Sequence, residues 1–250
     1  MSNLKKTIAV VLIATFLVSI PLAVLNTEAD IVEIVFTVEY DESYGKPVDG
    51  PPGLVKPPKD DDSDAYKIWF SRYSVSYVPM DMVVYTDNPD LLSAGFVFSA
   101  VSDAADAWDT VTANTLVKSK TSTSGTASVD RNNENAVLFG DYPTDGVIAV
   151  ATVWIDRRSK QLLECDIMFD TDFTWGNADP NGDGTVDNAN VMDLQNIATH
   201  ELGHCFNLAD IYDSSLSSLT MYGYSGYGDI QKRTLADGDI AGIQSLFGAT

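Results

Sequence analysis

His200-Glu201-Leu202-Gly203-His204-Cys205-Phe206-Asn207-Leu208-Ala209-Asp210 contains the only two histidines of a 250-residue chain. On an α-helix, residues i and i+4 share a face, so both imidazoles can reach one metal ion while Glu201 sets a carboxylate beside it. Zinc in a hydrolytic site takes three protein ligands and leaves a fourth position open to water. A third ligand is therefore needed. No glutamate follows Glu201, and the acids available downstream are Asp210, Asp213, Asp229, Asp237 and Asp239. Asn207 tolerates the left-handed backbone that turns a chain back after a helix end, which directs Asp210 toward the metal. Asp213, following Tyr212, is expected instead to cap the next loop.

Outward from this motif, Leu194, Ala198 and Leu202 lie on one face of a helix expected over 191–206. Strand patterns precede it at 66–77, 80–85, 136–139, 147–155 and 161–169, separated by turn residues such as Gly140 and Gly146. Leu92, Phe96, Ala100, Ala104 and Trp108 recur every four residues and predict a helix after Asn88-Pro89-Asp90. A short helix with an acidic start is expected from about Asp237 to Phe247. This order is α+β rather than a regular strand–helix alternation.

Both cysteines fall on core-facing positions, Cys165 with Leu163, Ile167 and Phe169 on a strand face and Cys205 with Leu202 on a helical face. Two buried thiols acting as small hydrophobes are the preferred reading. A single bridge is the alternative, since an even count in an oxidising compartment invites one.

Toward the N-terminus, Lys5 and Lys6 precede an apolar run ending near Pro21, uncharged until Glu28. Residues 1–29 read as a targeting segment, a signal peptide or alternatively an uncleaved membrane anchor. Either places the remainder outside the cytoplasm, secreted or tethered. Residues 31–40 are β-branched and aromatic enough for a strand. The following Pro/Asp-rich stretch, with Pro47, Pro51, Pro52, Pro57 and Pro58 and the acids Asp60, Asp61, Asp62 and Asp64, reads as a linker. Residues 30–65 are thus a short prosegment or linker, with Asp49 a candidate zinc blocker, and 66–250 form the main domain. Fifteen Lys and Arg against 36 Asp and Glu give a net charge of −21, which excludes a nucleic-acid partner that would need a basic surface.

The His200–Asp210 stretch resembles the long zinc motif of the metzincin metalloendopeptidases, with Asn207 where glycine is usual and Asp210 in the place of the third ligand. Leu219-Thr220-Met221-Tyr222 is similar to that clan's methionine turn. Asp166-Ile167-Met168-Phe169-Asp170-Thr171-Asp172 with Trp175, and the closing segment Leu235–Gly248, resemble matrixins, of a prokaryotic secreted type. The resemblance implies a zincin fold: a twisted mixed five-stranded sheet, an active-site helix and a small C-terminal subdomain. It also implies a zinc-dependent endopeptidase acting on extracellular proteins, working as a monomer, with Met221 supporting the site. Val147–Thr152 would be an antiparallel edge strand whose Val147, Ile148, Ala149 and Val150 receive an extended substrate by main-chain hydrogen bonds. Tyr222 and Tyr224 could line the pocket beyond the cut, or serve only structure.

Chemically, zinc would activate water, and Glu201 would act as general base and pass the proton to the leaving amine. The thiol switch familiar in matrixins is excluded, because no cysteine precedes Cys165. A calcium loop is a second candidate metal site at Asp179, Asn181, Asp183, Thr185 and Asp187, with Gly184 at the sixth position. Position twelve is Asn190 rather than glutamate, and a solvated turn is the alternative there. The competing function is a catalytically inactive, calcium-stabilised extracellular binding module on a protease fold, against which Glu201 argues.

Overall fold

The computed structural model describes residues 30–41, 65–70, 72 and 74–250. The expected targeting segment, nearly all of the Pro/Asp-rich linker and Asp49 lie outside the described residues. The strands are β1 (Ile31–Tyr40), β2 (Ser74–Val75), β3 (Met80–Tyr85), β4 (Val117–Thr123), β5 (Asn135–Gly140), β6 (Val147–Asp156), β7 (Gln161–Asp170), β8 (Trp175–Gly176), β9 (Met192–Asp193) and β10 (Tyr224–Ser225). The helices are α1 (Ala94–Asp109), α2 (Leu194–Cys205) and α3 (Asp237–Phe247). Among the described residues no helix is long and apolar enough to cross a membrane.

The main sheet runs β10-β1-β6-β7-β5-β3-β4, with β2 beside β7. Strands β4, β3, β5 and β7 are mutually parallel, and β6 is antiparallel to β7. These five form the mixed sheet expected from sequence. The sheet is nevertheless larger than five strands. β1 adds antiparallel along nearly the whole outer edge of β6, from Ile31↔Asp156 to Glu39↔Val147, and β10 pairs in parallel with the end of β1. β6 is therefore not an edge strand in this chain, and nine of its ten residues are buried. That is why it reads as an unbroken apolar run rather than an alternation.

Two further expectations change. The segment 66–77 is not one strand. Only Ser74 and Val75 pair in the sheet, while Ile68 bridges to Leu208 and Trp69 N–H donates to Asn207 O at 3.1 Å. Its partner is the turn after α2, so its β-rich composition serves a different ladder. β4 was not legible because Val117–Thr123 is rich in Lys, Ser and Thr and lies at the far edge of the sheet, where exposed positions need no apolar alternation.

Ser93 caps α1 by accepting from Phe96 N–H, and Asp193 caps α2 by accepting from Asn196 N–H. The alanines Ala100, Ala104 and Ala105 are buried on α1, and small side chains permit close helix approach. Trp108 at its end donates from Nε1 to Thr199 O at 2.8 Å, tying α1 to α2. Eleven of the twelve residues of α2 are buried.

Cys165 of β7 and Cys205 at the end of α2 form a disulfide with Cα atoms 5.5 Å apart. This corrects the preferred reading of free thiols. Both core-facing predictions were right, but whether two buried cysteines meet depends on how the helix lies on the sheet. Closing a loop of sequence separation 40 contributes about 4 kcal/mol in the chain-entropy account. Replacing both residues, Cys165→Ala with Cys205→Ala, is expected to lower the unfolding free energy by about that amount in guanidinium titration; a loss under about 1 kcal/mol would refute a stabilising role.

Candidate metal centre

Helix α2 ends in a Schellman turn. Leu208 N–H donates to Gly203 O at 2.9 Å and Asn207 N–H to His204 O at 2.9 Å, with Asn207 at φ 76°. Asparagine does more here than tolerate the conformation. Its Oδ1 accepts from Phe70 N–H at 3.0 Å and its Nδ2 donates to Phe70 O at 3.1 Å, so the side chain clamps the start of the domain to the turn. A glycine could adopt this φ but could not make that clamp.

The turn carries Asp210 back to the helix. His200 Nε2 and His204 Nε2 lie 3.2 Å apart, and Asp210 Oδ1 is 3.2 Å from the first and 3.4 Å from the second. Two ligands about 2.05 Å from a tetrahedral zinc are separated by about 3.3 Å. The three edges thus fit a single ion. The tautomers fit as well: His200 Nδ1 faces Thr220 O at 2.6 Å and His204 Nδ1 faces Leu208 O at 2.9 Å. A carbonyl only accepts, so each Nδ1 carries its hydrogen and each Nε2 turns a lone pair toward the centre. Asp213, by contrast, accepts from Ser215 N–H and Oγ in an exposed turn and takes no part in this group.

Electrostatics around the triad show what a cation would relieve. Burial pushes His200 down to about 4, with Lys232 adding to the effect. Burial raises Asp210, but the adjacent imidazoles outweigh it and hold its carboxyl below the usual range. His204 is pulled down by burial, yet Asp210 and Glu201 outweigh that and raise it. Glu201 is fully buried, neither of its carboxylate oxygens has a hydrogen-bond partner, and burial raises it to about 8.

Below the histidines, Leu219–Tyr222 make a tight turn closed by Tyr222 N–H to Leu219 O at 3.2 Å. Met221 is buried beneath α2. A Cβ on Gly203 would stand 2.2 Å from Met221 Sδ and 3.0 Å from Trp108 Cζ2, so this helical glycine is the space the methionine occupies. Two residues that sequence reasoning missed hold the turn. Asp239 of α3 accepts from Thr220 N–H at 2.7 Å and Met221 N–H at 3.1 Å. Lys232, buried, donates to Thr220 O at 3.0 Å and to Tyr222 O. Thr220 O therefore serves both Lys232 and His200. In the sequence Asp239 stands among the acids downstream of Glu201 and at a helix start, neither of which points to this turn, and Lys232 lies in a polar stretch with no periodic signal.

The remaining predicted residues are placed as follows. Val147, Ile148, Ala149 and Val150 are buried in β6 and covered by β1. Tyr222 is buried with its ring 5.6 Å from that of half-buried Tyr224, which is 5.5 Å from Tyr212. In the proposed calcium loop, Asp179 accepts from Gly182, Asp183 and Gly184 N–H, and Asp183 from Thr185. These carboxylates shape the turn, and calcium there finds no support. A second group of acids that could hold an ion is Asp141, Asp170 and Asp172. An open depression of about 590 Å³ is lined by Tyr77, Lys118, Asn135 and Glu164, away from the triad.

Gly203→Ala is expected to cost roughly 1–3 kcal/mol, read from denaturant unfolding, because the methyl must displace Met221 or Trp108. Glu201 offers a pH test. A carboxyl raised from its ordinary 4.5 to about 8 favours folding fully below the unfolded value, and that contribution is lost as pH rises toward the folded value. In the metal-free chain, Glu201→Gln should therefore raise the thermal midpoint more at pH 8 than at pH 5. An equal or reversed difference in calorimetry would show that the carboxylate is solvated.

Residues 70–248 match the family model described as Matrixin, and no curated protein matches the chain. The match spans well over half of the 250 residues and includes α2, the Asn207 turn, Met221 and α3. The chain belongs to the matrixin family of metallopeptidases.

Proposed function

We propose that this protein is a zinc-dependent endopeptidase in which His200, His204 and Asp210 hold the metal and Glu201 is the general base. The observation that carries the reading is the triangle of two Nε2 atoms and one carboxylate oxygen, 3.2–3.4 Å on a side, with the unpartnered carboxylate of Glu201 on the same helix. Zinc bound there would polarise the scissile carbonyl and make water more acidic. Glu201 takes a proton from the attacking water and delivers it to the departing amine. Its burial keeps competing hydrogen-bond donors away, so the carboxylate is free to receive that proton.

Thr220 O and Leu208 O fix the two imidazoles through their Nδ1–H groups, which sets tautomer and ring orientation. Met221 supports the site through packing against Gly203, not through a bond to the metal. The substrates are polypeptides in extended conformation. The chain acts outside the cytoplasm, a reading supported by the Cys165–Cys205 bridge and the apolar N-terminal sequence. Nothing favours the inactive binding module, and Glu201 remains in place against it.

Casein hydrolysis should be abolished by a zinc chelator and restored by zinc. Glu201→Ala is expected to lose activity while keeping stoichiometric zinc by metal analysis. Asp210→Ala should lose zinc and activity together, Asp213→Ala should keep both, and Asp210→His should retain metal. Stoichiometric zinc in Asp210→Ala but not in Asp213→Ala would overturn the ligand assignment.

A further inference from the structure

Strand β1 lies outside the matched segment 70–248, yet it fills the β6 edge of the mixed sheet, the edge beside the metal triad. Its other side touches β10 only at Glu39↔Tyr224 and Tyr40↔Ser225. It thus lies in a groove between β6 and β10 that crosses the metal triad. The Phe36 ring stacks on His204, centroids 4.5 Å apart and planes 10° from parallel, and it meets the Trp69 ring in a T-shaped contact with centroids 4.9 Å apart. Val38, two residues on, is fully buried. An exposed sheet edge is where extended peptides bind, through main-chain hydrogen bonds with side chains taken alternately into pockets.

We infer that Ile31–Tyr40 is bound as an intramolecular stand-in for substrate. The cleft takes an extended peptide running antiparallel to β6 and parallel to β10, with an aromatic residue against His204 and a β-branched residue two positions later. The inference rests on the peptidase reading. It also supplies latency without a thiol or a carboxylate on the metal: Phe36 covers a ligand, and β1 occupies the β6 edge from Ile31↔Asp156 to Glu39↔Val147. Tethering gives β1 an effective concentration on the order of millimolar, so ordinary peptides cannot displace it. Trp69 and the positions that Phe36 and Val38 vacate then set which sequences enter once β1 has left.

The test uses the full chain carrying Glu201→Ala, which prevents turnover, loaded with zinc. A fluorescein-labelled peptide of residues 31–40, with terminal lysines for solubility, is titrated by anisotropy into this parent and into the same chain with Phe36→Asp and Val38→Asp. The variant should bind the peptide roughly 100-fold more tightly than the parent, and unfolded casein should displace it. Equal affinities would overturn the inference, as would a bound peptide that casein fails to displace. If circular dichroism shows the aspartate variant unfolded, Phe36→Ala with Val38→Ala serves instead. With Glu201 intact, the same β1 substitutions should speed casein hydrolysis. Absence of hydrolysis in every form would sink the peptidase reading, while the binding result still judges the role of β1.

Discussion

Three lone pairs that repel one another are held within 3.4 Å in a buried pocket, and the surrounding structure is arranged to keep them there. Without a cation the arrangement is costly, since two imidazoles and a carboxylate give up water without gaining donors. The carboxylates of Asp210 and Glu201 accordingly raise His204 against the effect of its burial. Such a site persists only where the scaffold fixes each donor independently. Here α2 spaces the imidazoles, the Schellman turn returns Asp210, and two backbone carbonyls lock the rings.

The supports converge on a few atoms. Thr220 O accepts from His200 and from Lys232, and Asp239 holds the two N–H groups of the same turn. Burying an ammonium and a carboxylate this deeply is favourable only when their hydrogen bonds are made. Lys232 makes two bonds to carbonyls, and its ammonium is lowered to about 8 by burial, with Asp229 and Asp239 opposing. Met221 completes the floor because Gly203 leaves it room. The disulfide fixes the last residue of α2 against β7, and Tyr77 OH donates to the carbonyl of that same Cys205.

Sheet edges explain the other half of the architecture. An unpaired strand with every other surface buried would invite aggregation, and natural proteins cover or charge such edges. In this chain the cover comes from β1, whose Phe36 and Val38 face inward while Glu33, Val35 and Glu39 face solvent. β1 thereby closes the edge that β6 would otherwise leave open.

Much of the site was legible because its chemistry is local. The spacing of His200, Glu201 and His204 depends only on helical geometry, and the return of Asp210 depends only on a turn that Asn207 permits. The helices followed from periodicity, and the strands β3, β5, β6 and β7 from β-rich runs bounded by turn residues. β4 and the segment 66–77 did not, because an edge strand needs no apolar alternation and a β-rich stretch does not name its partner. The pairing of Cys165 with Cys205, the clamp of Asn207 on Phe70, the buried bonds of Lys232 and Asp239, and the seat of β1 on β6 all join residues distant in sequence. The sequence by itself determined the helix that carries His200, Glu201 and His204 and the turn that returns Asp210, since those are set within a dozen residues. Only the tertiary structure decided what holds that site and what covers it, because hydrogen bonds between distant segments form where packing brings the chain together, and no periodicity records that.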